Sequence, residues 1–485
     1  MKRTQGHHWL NFIDGAWVDS PSRLDVANPA NGEPIASVAL ATIEDAQRAL
    51  DAATRCAASG ELTRQRPAER VRWLLRIAEE IRAVTEEGAR ILCLENGKRL
   101  CDARDEFVEA ARYFEYYAGL ADKLEGISVP LGDDYVDFTR YEPMGISVQI
   151  VPWNFPVSIC ARSLAPALAA GNAVVVKSPE LSPLGMCVLF EAIERAGLPR
   201  GAAQLLCGLG RDVGAHLAAS EQTKQIVFTG SVATGRAILA AAAQWATPSV
   251  MELGGKSAAV VFPDSDRAQL LASVKSGIFF NAGQVCSAMS RLIVHRDIYD
   301  EVVAEVAKLA GGLTIGAGEQ DPDHTPLISA NQLERVVAMC KDAIAEGAQA
   351  VAGGERVANR AGFYMQPTVL AGVSPTMNIA CDEVFGPVLA VIPFDTEDEA
   401  VAIANGTPYG LVAGVFTRDI NRALRFSRRL RAGQVFVNEW YAGGIETPFG
   451  GVGLSGFGRE KGQEAIYSYV QTKNVAIRVA QGSEV

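Results

Sequence analysis

The chain is poor in histidine, with five, and none of its nine cysteines forms a Cys-x-x-Cys pair. A metal site or a disulfide framework has little to be built from, and the odd, scattered thiols suggest a reducing, cytoplasmic setting. No apolar run is long enough to cross a bilayer; the run 237–243 is short and Gln244 ends it. The opening Met1-Lys-Arg-Thr-Gln-Gly-His-His-Trp-Leu has two cations but no apolar stretch behind them, unlike a secretory leader. No Arg-rich or Lys-rich tract occurs, and a net charge of −11 argues against a nucleic-acid partner. Repeats, low-complexity tracts and long linkers are missing too.

What is present is a globular composition, 48% hydrophobic and 21% charged over 485 residues, enough for two or three domains. Residues 43–58 and 66–95 repeat Ala, Leu, Ile and Val every three or four positions, which predicts helices. From residue 145 strands and helices alternate. Strands are expected at 145–151, 173–177, 225–228, 249–253 and 257–262, then at 291–295, 390–393 and 434–438. Helices are expected at 183–196, from Ser231, and at 299–309. This order predicts an α/β protein with two mostly parallel sheets, each covered on both faces. Residues 134–142 and 467–479 alternate in a strand-like way apart from both blocks and are expected to pair in a small projecting sheet used for assembly.

Two short segments carry the chemistry. Cys286 stands in Asn281-Ala-Gly-Gln-Val-Cys-Ser, beside Gly283, Gln284 and Ser287, whereas apolar neighbours make the other cysteines look like buried packing. Glu252 ends an apolar strand in Met251-Glu-Leu-Gly-Gly-Lys, where a carboxylate is costly unless it is used or paired. A thiolate attacks an electrophilic carbon, and a carboxylate can then activate the water that releases the product. The bland alternatives are a packed cysteine and a strand-end salt bridge. Asn154, in Pro152-Trp-Asn-Phe-Pro156, offers an amide to an oxyanion or is a turn asparagine. The run Phe228-Thr-Gly-Ser-Val-Ala-Thr-Gly235 reads as strand end, turn and helix start, suited to a pyrophosphate or simply to turning. Lys177 and Glu180 follow a strand at a sheet edge where ligands bind, and could meet a ribose or form a solvated loop pair.

Taken together, Pro-Trp-Asn-Phe-Pro, Lys-x-x-Glu, Phe-Thr-Gly-Ser, Glu-Leu-Gly-Gly-Lys, Gly-Gln-x-Cys, Glu-x-Phe-Gly-Pro and Pro-Phe-Gly-Gly resemble the NAD(P)-dependent aldehyde dehydrogenase superfamily, in order, from about Leu10 to Val479. The resemblance implies an aldehyde-dehydrogenase-like α/β fold: two doubly wound parallel-sheet domains plus a small bridging, oligomerising β-sheet. Residues 1–125 and 144–253 would form the NAD-binding domain, 254–450 the catalytic domain, and 126–143 with 464–485 the oligomerisation segments of a homodimer or homotetramer. It implies Cys286 as nucleophile, Asn154 and the Cys286 N–H as oxyanion donors, and Glu252 as the base that activates water. Trp153, Lys177, Glu180, Gly230, Ser231, Gly235, Leu253, Glu383 and Phe385 would hold the cofactor. Glu460 matches a second family glutamate suggested for proton relay. Glu180 favours NAD over NADP, because a carboxylate that accepts from a 2′-hydroxyl repels a 2′-phosphate.

For the substrate, Arg162 lies eight residues past Asn154, on the same helical face. Similar succinate-semialdehyde and salicylaldehyde or benzaldehyde dehydrogenases carry an arginine there, to bind a carboxylate or line an aromatic pocket; a structural salt bridge is the other reading. Succinate-semialdehyde enzymes usually add a second arginine where this chain has Phe280. Phe155, Phe280, Tyr441 and Phe449 complete the expected substrate set, and the expectation is an aromatic or acid-bearing aldehyde. A succinate-semialdehyde-type enzyme and a CoA-acylating one are the alternatives, the latter disfavoured by Glu252. A cysteine hydrolase would want a histidine partner, and the nearest, His295, lies along a predicted strand. No metal is expected.

Overall fold

Strands that are mostly apolar on both faces must be covered on both sides, and two sheets have such strands at their centres. Ala173–Lys177 and Ala258–Val261 are buried along their whole length. The protein is described by a computed structural model over residues 6–479; the predicted segments reach residues 1–5 and 480–485, which lie outside the described residues.

The first sheet has eight strands. Ser249–Glu252, Gln225–Thr229, Ile146–Ile150, Ala173–Lys177 and Ala203–Leu206 run parallel at its centre. Antiparallel strands close both edges: Asn11–Ile13 with Ala16–Val18 on one side, and Gly456–Phe457 on the other. The second sheet has seven strands, in the order Gln349–Ala352, Thr368–Ala371, Val388–Phe394, Arg291–His295, Ala258–Val261, Val412–Phe416 and Gln434–Val437. Only Gln349–Ala352 is antiparallel in it. The fold is therefore the expected pair of doubly wound α/β halves.

In the third sheet Tyr135–Pro143 pairs antiparallel with Val470–Arg478 over nine residues, and Ser128–Val129 adds a short edge. The second of these strands starts later than the alternation predicts, because Gln463–Tyr469 winds into 3-10 turns that bury Ala465, Ile466 and Tyr469.

Two features position the site. The Gly456–Phe457 strand pairs with Met251 and Glu252, so a distant part of the chain pins the strand end that carries Glu252. The helix Leu100–Ala118, which the periodicity reading did not include, packs beside the wholly buried helix Pro156–Ala170. Its Glu106 accepts the backbone N–H groups of Val157 (2.8 Å) and Ser158 (3.1 Å), placing an acid at that helix's positive end. Lys98, equally buried, donates to Glu106 (2.5 Å) and to the Asn154 carbonyl (2.8 Å). This fixes the turn from which Asn154 projects.

Candidate active site

Three cavities adjoin along the C-terminal edge of the first sheet. The largest, about 690 Å³, is lined by Trp153, Lys177, Glu180, Gly210, Gly230, Ser231 and Thr234. A second, of about 360 Å³, also includes Trp153, Gly230 and Ser231, and adds Glu252, Leu253, Arg335, Glu383 and Phe385. The third, about 220 Å³, contains Phe155, Arg162, Phe280, Tyr441 and Phe449, with Glu109, Tyr113 and Lys461. Asn154 and Cys286 line both the second and the third, and among the described residues no other does.

Cys286 sits in a loop shaped by Asn281 and Ala282, both at positive φ. The loop lies directly on the turn after Glu252: a Cβ on Gly255 would come within 2.6 Å of the Cys286 carbonyl oxygen. Only glycine allows that approach. Burial pushes the Cys286 thiol up to about 12; Arg162 opposes this, whereas Glu252 and Glu383 add to it. The sulfur is thus held as a thiol, not the thiolate its chemistry needs.

Glu252 is 1% exposed, and neither carboxyl oxygen has a hydrogen-bond partner among the described residues. The strand-end salt bridge is not formed. A Cβ on Gly450 would stand 2.6 Å from its Oε1, so the Pro448-Phe-Gly-Gly segment presses on it from the opposite side. Burial and the Glu460 carboxylate hold Glu252 well above the ordinary carboxylate range, against Arg162 and Arg459. Its unpaired oxygens share a cavity with Cys286.

Asn154 donates one amide hydrogen to the Gln284 carbonyl at 3.0 Å, two residues before Cys286, and lines both the second and the third cavity. In the largest cavity Lys177 pairs with Glu180 at 2.9 Å, and Glu180 also accepts the Gly210 N–H at 2.7 Å. Burial opposes the charge of Glu180, but Lys177 and these hydrogen bonds hold its carboxyl below the usual range. Ser231 caps the helix Val232–Ala242, accepting from the Thr234 N–H at 3.2 Å. Glu383 accepts the Gly255 N–H at 3.1 Å, and burial lifts it to about 7. Trp153 and Phe385 meet edge to face at 5.2 Å. Gly235 is placed differently: it lines neither cofactor-side cavity, and a Cβ there would strike Leu253 at 2.7 Å. It lets the helix pack closely on the strand end.

Arg162 borders the third cavity, but its guanidinium is paired with Glu460 and donates to Thr229 at 3.2 Å. Burial works against this charge, and Glu460, Tyr113 and Glu252 outweigh it, leaving the guanidinium more firmly protonated than usual. Ser163 donates to Glu460 at 2.5 Å. The structural salt bridge foreseen as an alternative for Arg162 is the one present. Aromatic rings dominate the rest of that cavity: Phe155 stacks on Phe280 at 5.8 Å, and Tyr441 meets Phe280 edge-on at 6.4 Å. Lys98, Glu106, Glu109, Tyr113 and Lys461 were not found from sequence. Glu106 and Glu109, interleaved with Phe107, Val108, Ala110 and Ala111, were the signal available.

The arrangement is a set of adjoining cavities lined from both α/β halves, with the Cys286 thiol and the Glu252 carboxyl group in one of them. A profile of the aldehyde dehydrogenase family matches residues 17–475. A betaine aldehyde dehydrogenase of Cereibacter sphaeroides is 42% identical over 472 residues, covering 96% of each chain. Human retinal dehydrogenase 2 is 37% identical, covering 97% of this chain and 92% of its own. Among solved structures, the NAD+ complex of an aldehyde dehydrogenase from Bacillus cereus superposes with a TM-score of 0.96 at 35% identity, covering 98% and 97% of the two chains. A betaine aldehyde dehydrogenase from Staphylococcus aureus in complex with NAD+ gives 0.95 at 35% identity, covering 98% and 95%. The chain belongs to the aldehyde dehydrogenase family.

Proposed function

We propose that the protein oxidises an aldehyde to the carboxylic acid with NAD, through a covalent adduct on Cys286. The observation that carries this reading is that, among the described residues, Cys286 and Asn154 alone border both the cofactor-side and the aromatic cavity. The cofactor-side cavities fit a dinucleotide. They lie at the carboxyl edge of a parallel sheet, offer a capped helix N-terminus at Ser231, and hold Glu180 ionised where a ribose hydroxyl would donate. Lys177, Glu180 and Glu383 would hold the riboses, with Trp153, Gly230, Ser231, Leu253 and Phe385 around them. The relatives solved with NAD+ support the same cofactor.

The Cys286 thiol gives up its proton to water, the thiolate adds to the aldehyde carbon, and the Asn154 amide and the Cys286 N–H stabilise the alkoxide of the resulting thiohemiacetal. NAD, held by the residues named above, would supply the hydride acceptor needed for oxidation of this adduct to a thioester. Glu252, in its ionised form and with its oxygens unpaired, then takes a proton from water; the hydroxide adds to the thioester carbon, the C–S bond breaks, and the acid leaves as the Cys286 thiolate is released. That base also argues for hydrolysis rather than transfer to CoA.

The stacked Phe155 and Phe280, with Tyr441 and Phe449, support an aromatic aldehyde. Arg162 does not favour an acid-bearing one, since Glu460 occupies it. A trimethylammonium aldehyde is the second reading, favoured by the names of several relatives and by Glu109 among those rings. We assign residues 1–125 and 144–253 to NAD binding, 254–450 to catalysis, and the third sheet to pairing subunits. NADH formation from benzaldehyde and from betaine aldehyde, without CoA, tests the function. Benzoate as the product supports it; no NADH from any aldehyde overturns it.

A further inference from the structure

One cation in the aromatic cavity has no partner. Lys461 lines it, and no carboxylate among the described residues lies within ion-pair distance of its ammonium. The neighbouring acids are engaged elsewhere. Glu109 accepts from Ser158 at 2.6 Å and from Tyr113 at 3.3 Å, Glu446 pairs with Arg112 at 3.4 Å, and Glu460 pairs with Arg162.

The backbone holds Lys461 in place deliberately. It has φ +61°, a conformation that side-chain-bearing residues rarely adopt. Strain of this kind gathers at binding sites and persists where surrounding structure over-determines it. Here the constraint is visible: Phe449 and Glu460 exchange backbone hydrogen bonds at 2.6 and 2.8 Å, and the Gly462 N–H donates to Ile445 at 2.7 Å. The turn between these bonds carries residue 461, which lines the cavity. Burial lowers the lysine's pKa, and Glu109 and Glu446 partly restore it. A bound anion would restore it further.

Lys461 and Cys286 line the same cavity, with Phe155, Phe280 and Tyr441 in its wall. A substrate with its aldehyde at Cys286 and its ring among those aromatic side chains shares that cavity with the unpaired ammonium of Lys461.

We propose that Lys461, rather than Arg162, sets the charge preference of the cavity, and that the preferred substrates are aromatic aldehydes carrying an anionic group remote from the aldehyde. This rests on the aldehyde oxidation proposed above. Glu109 would select the opposite charge, and the experiment distinguishes the two.

The test is steady-state NAD reduction with benzaldehyde, 4-formylbenzoate and betaine aldehyde, using the native protein, Lys461→Met and Lys461→Arg. A direct charged hydrogen bond predicts that the native preference for 4-formylbenzoate over benzaldehyde falls about tenfold or more in Lys461→Met, through KM, and is kept in Lys461→Arg. Three results overturn the proposal while leaving aldehyde oxidation standing: no native preference for the acid-bearing ring, preference for betaine aldehyde, or an equal loss on both benzaldehydes in Lys461→Met. If no aldehyde reduces NAD, the parent reading fails, and this one with it.

Discussion

Arg162 and Glu460 form an ion pair whose side chains are only 8% and 2% exposed. They are 298 positions apart in a chain of 485 residues. The pair ties the helix that follows Asn154 to the hairpin that carries Phe449, and Arg162 lies over the Phe449 ring at 5.5 Å. Removing one member of a buried pair typically costs about 3–5 kcal/mol, because the other is left uncompensated. Arg162→Met is therefore expected to lower thermal stability strongly. Arg162→Met with Glu460→Met should lose clearly less than the sum of the single changes. Calorimetry of the three variants checks it; additive losses would show that the pair is not coupled.

Cys286→Ser should abolish turnover. Glu252→Gln should still form the thioester but fail to hydrolyse it, leaving a burst of NADH of at most one equivalent per site followed by a rate lower by orders of magnitude. Stopped-flow absorbance reads the burst, and mass spectrometry reads the acyl adduct. Full steady-state turnover in Glu252→Gln would remove this residue from the water-activating role.

The raised Cys286 pKa has a definite sign. An acid whose pKa is pushed up to about 12 keeps its proton at neutral pH, so the thiolate fraction rises about tenfold with each pH unit through the range below that value. Alkylation of Cys286 by iodoacetamide in the cofactor-free protein should climb steadily between about pH 7 and pH 10 without a plateau. Cys101 and Cys381 are also partly exposed, so the modified site has to be read peptide by peptide. A plateau near neutral pH would mean that the free enzyme already stabilises a thiolate.

Glu180 stays ionised beside Lys177, and the repulsion of a 2′-phosphate by that carboxylate should make NAD the better cofactor. Glu180→Gln keeps the shape and removes the charge. The kcat/KM ratio of NADP to NAD is expected to rise about tenfold or more, a modest share of what two charges at close range can produce. Equal use of NAD and NADP by the native protein would show that Glu180 does not discriminate.

Much of this was legible in the residues themselves. Val, Ile and Ala in unbroken short runs announce strands buried on both faces, and the strands at 173–177, 225–229 and 291–295 stand where those runs are. Cys286 and Glu252 were legible because each is polar chemistry embedded in glycine at the end of an apolar stretch, a placement that packing alone does not ask for. The helix Leu100–Ala118 was not, since its buried face mixes Phe and Tyr with Glu106.

Sequence by itself determined which groups can react and which strands must be covered, because those follow from side-chain chemistry and local periodicity. The tertiary structure decided which charge meets which. Arg162 is held by Glu460, Lys98 by Glu106, and Lys461 by no carboxylate among the described residues. The reason is physical: a buried charge is governed by what lies within a few ångströms, and those neighbours come from segments that only the folded chain brings together.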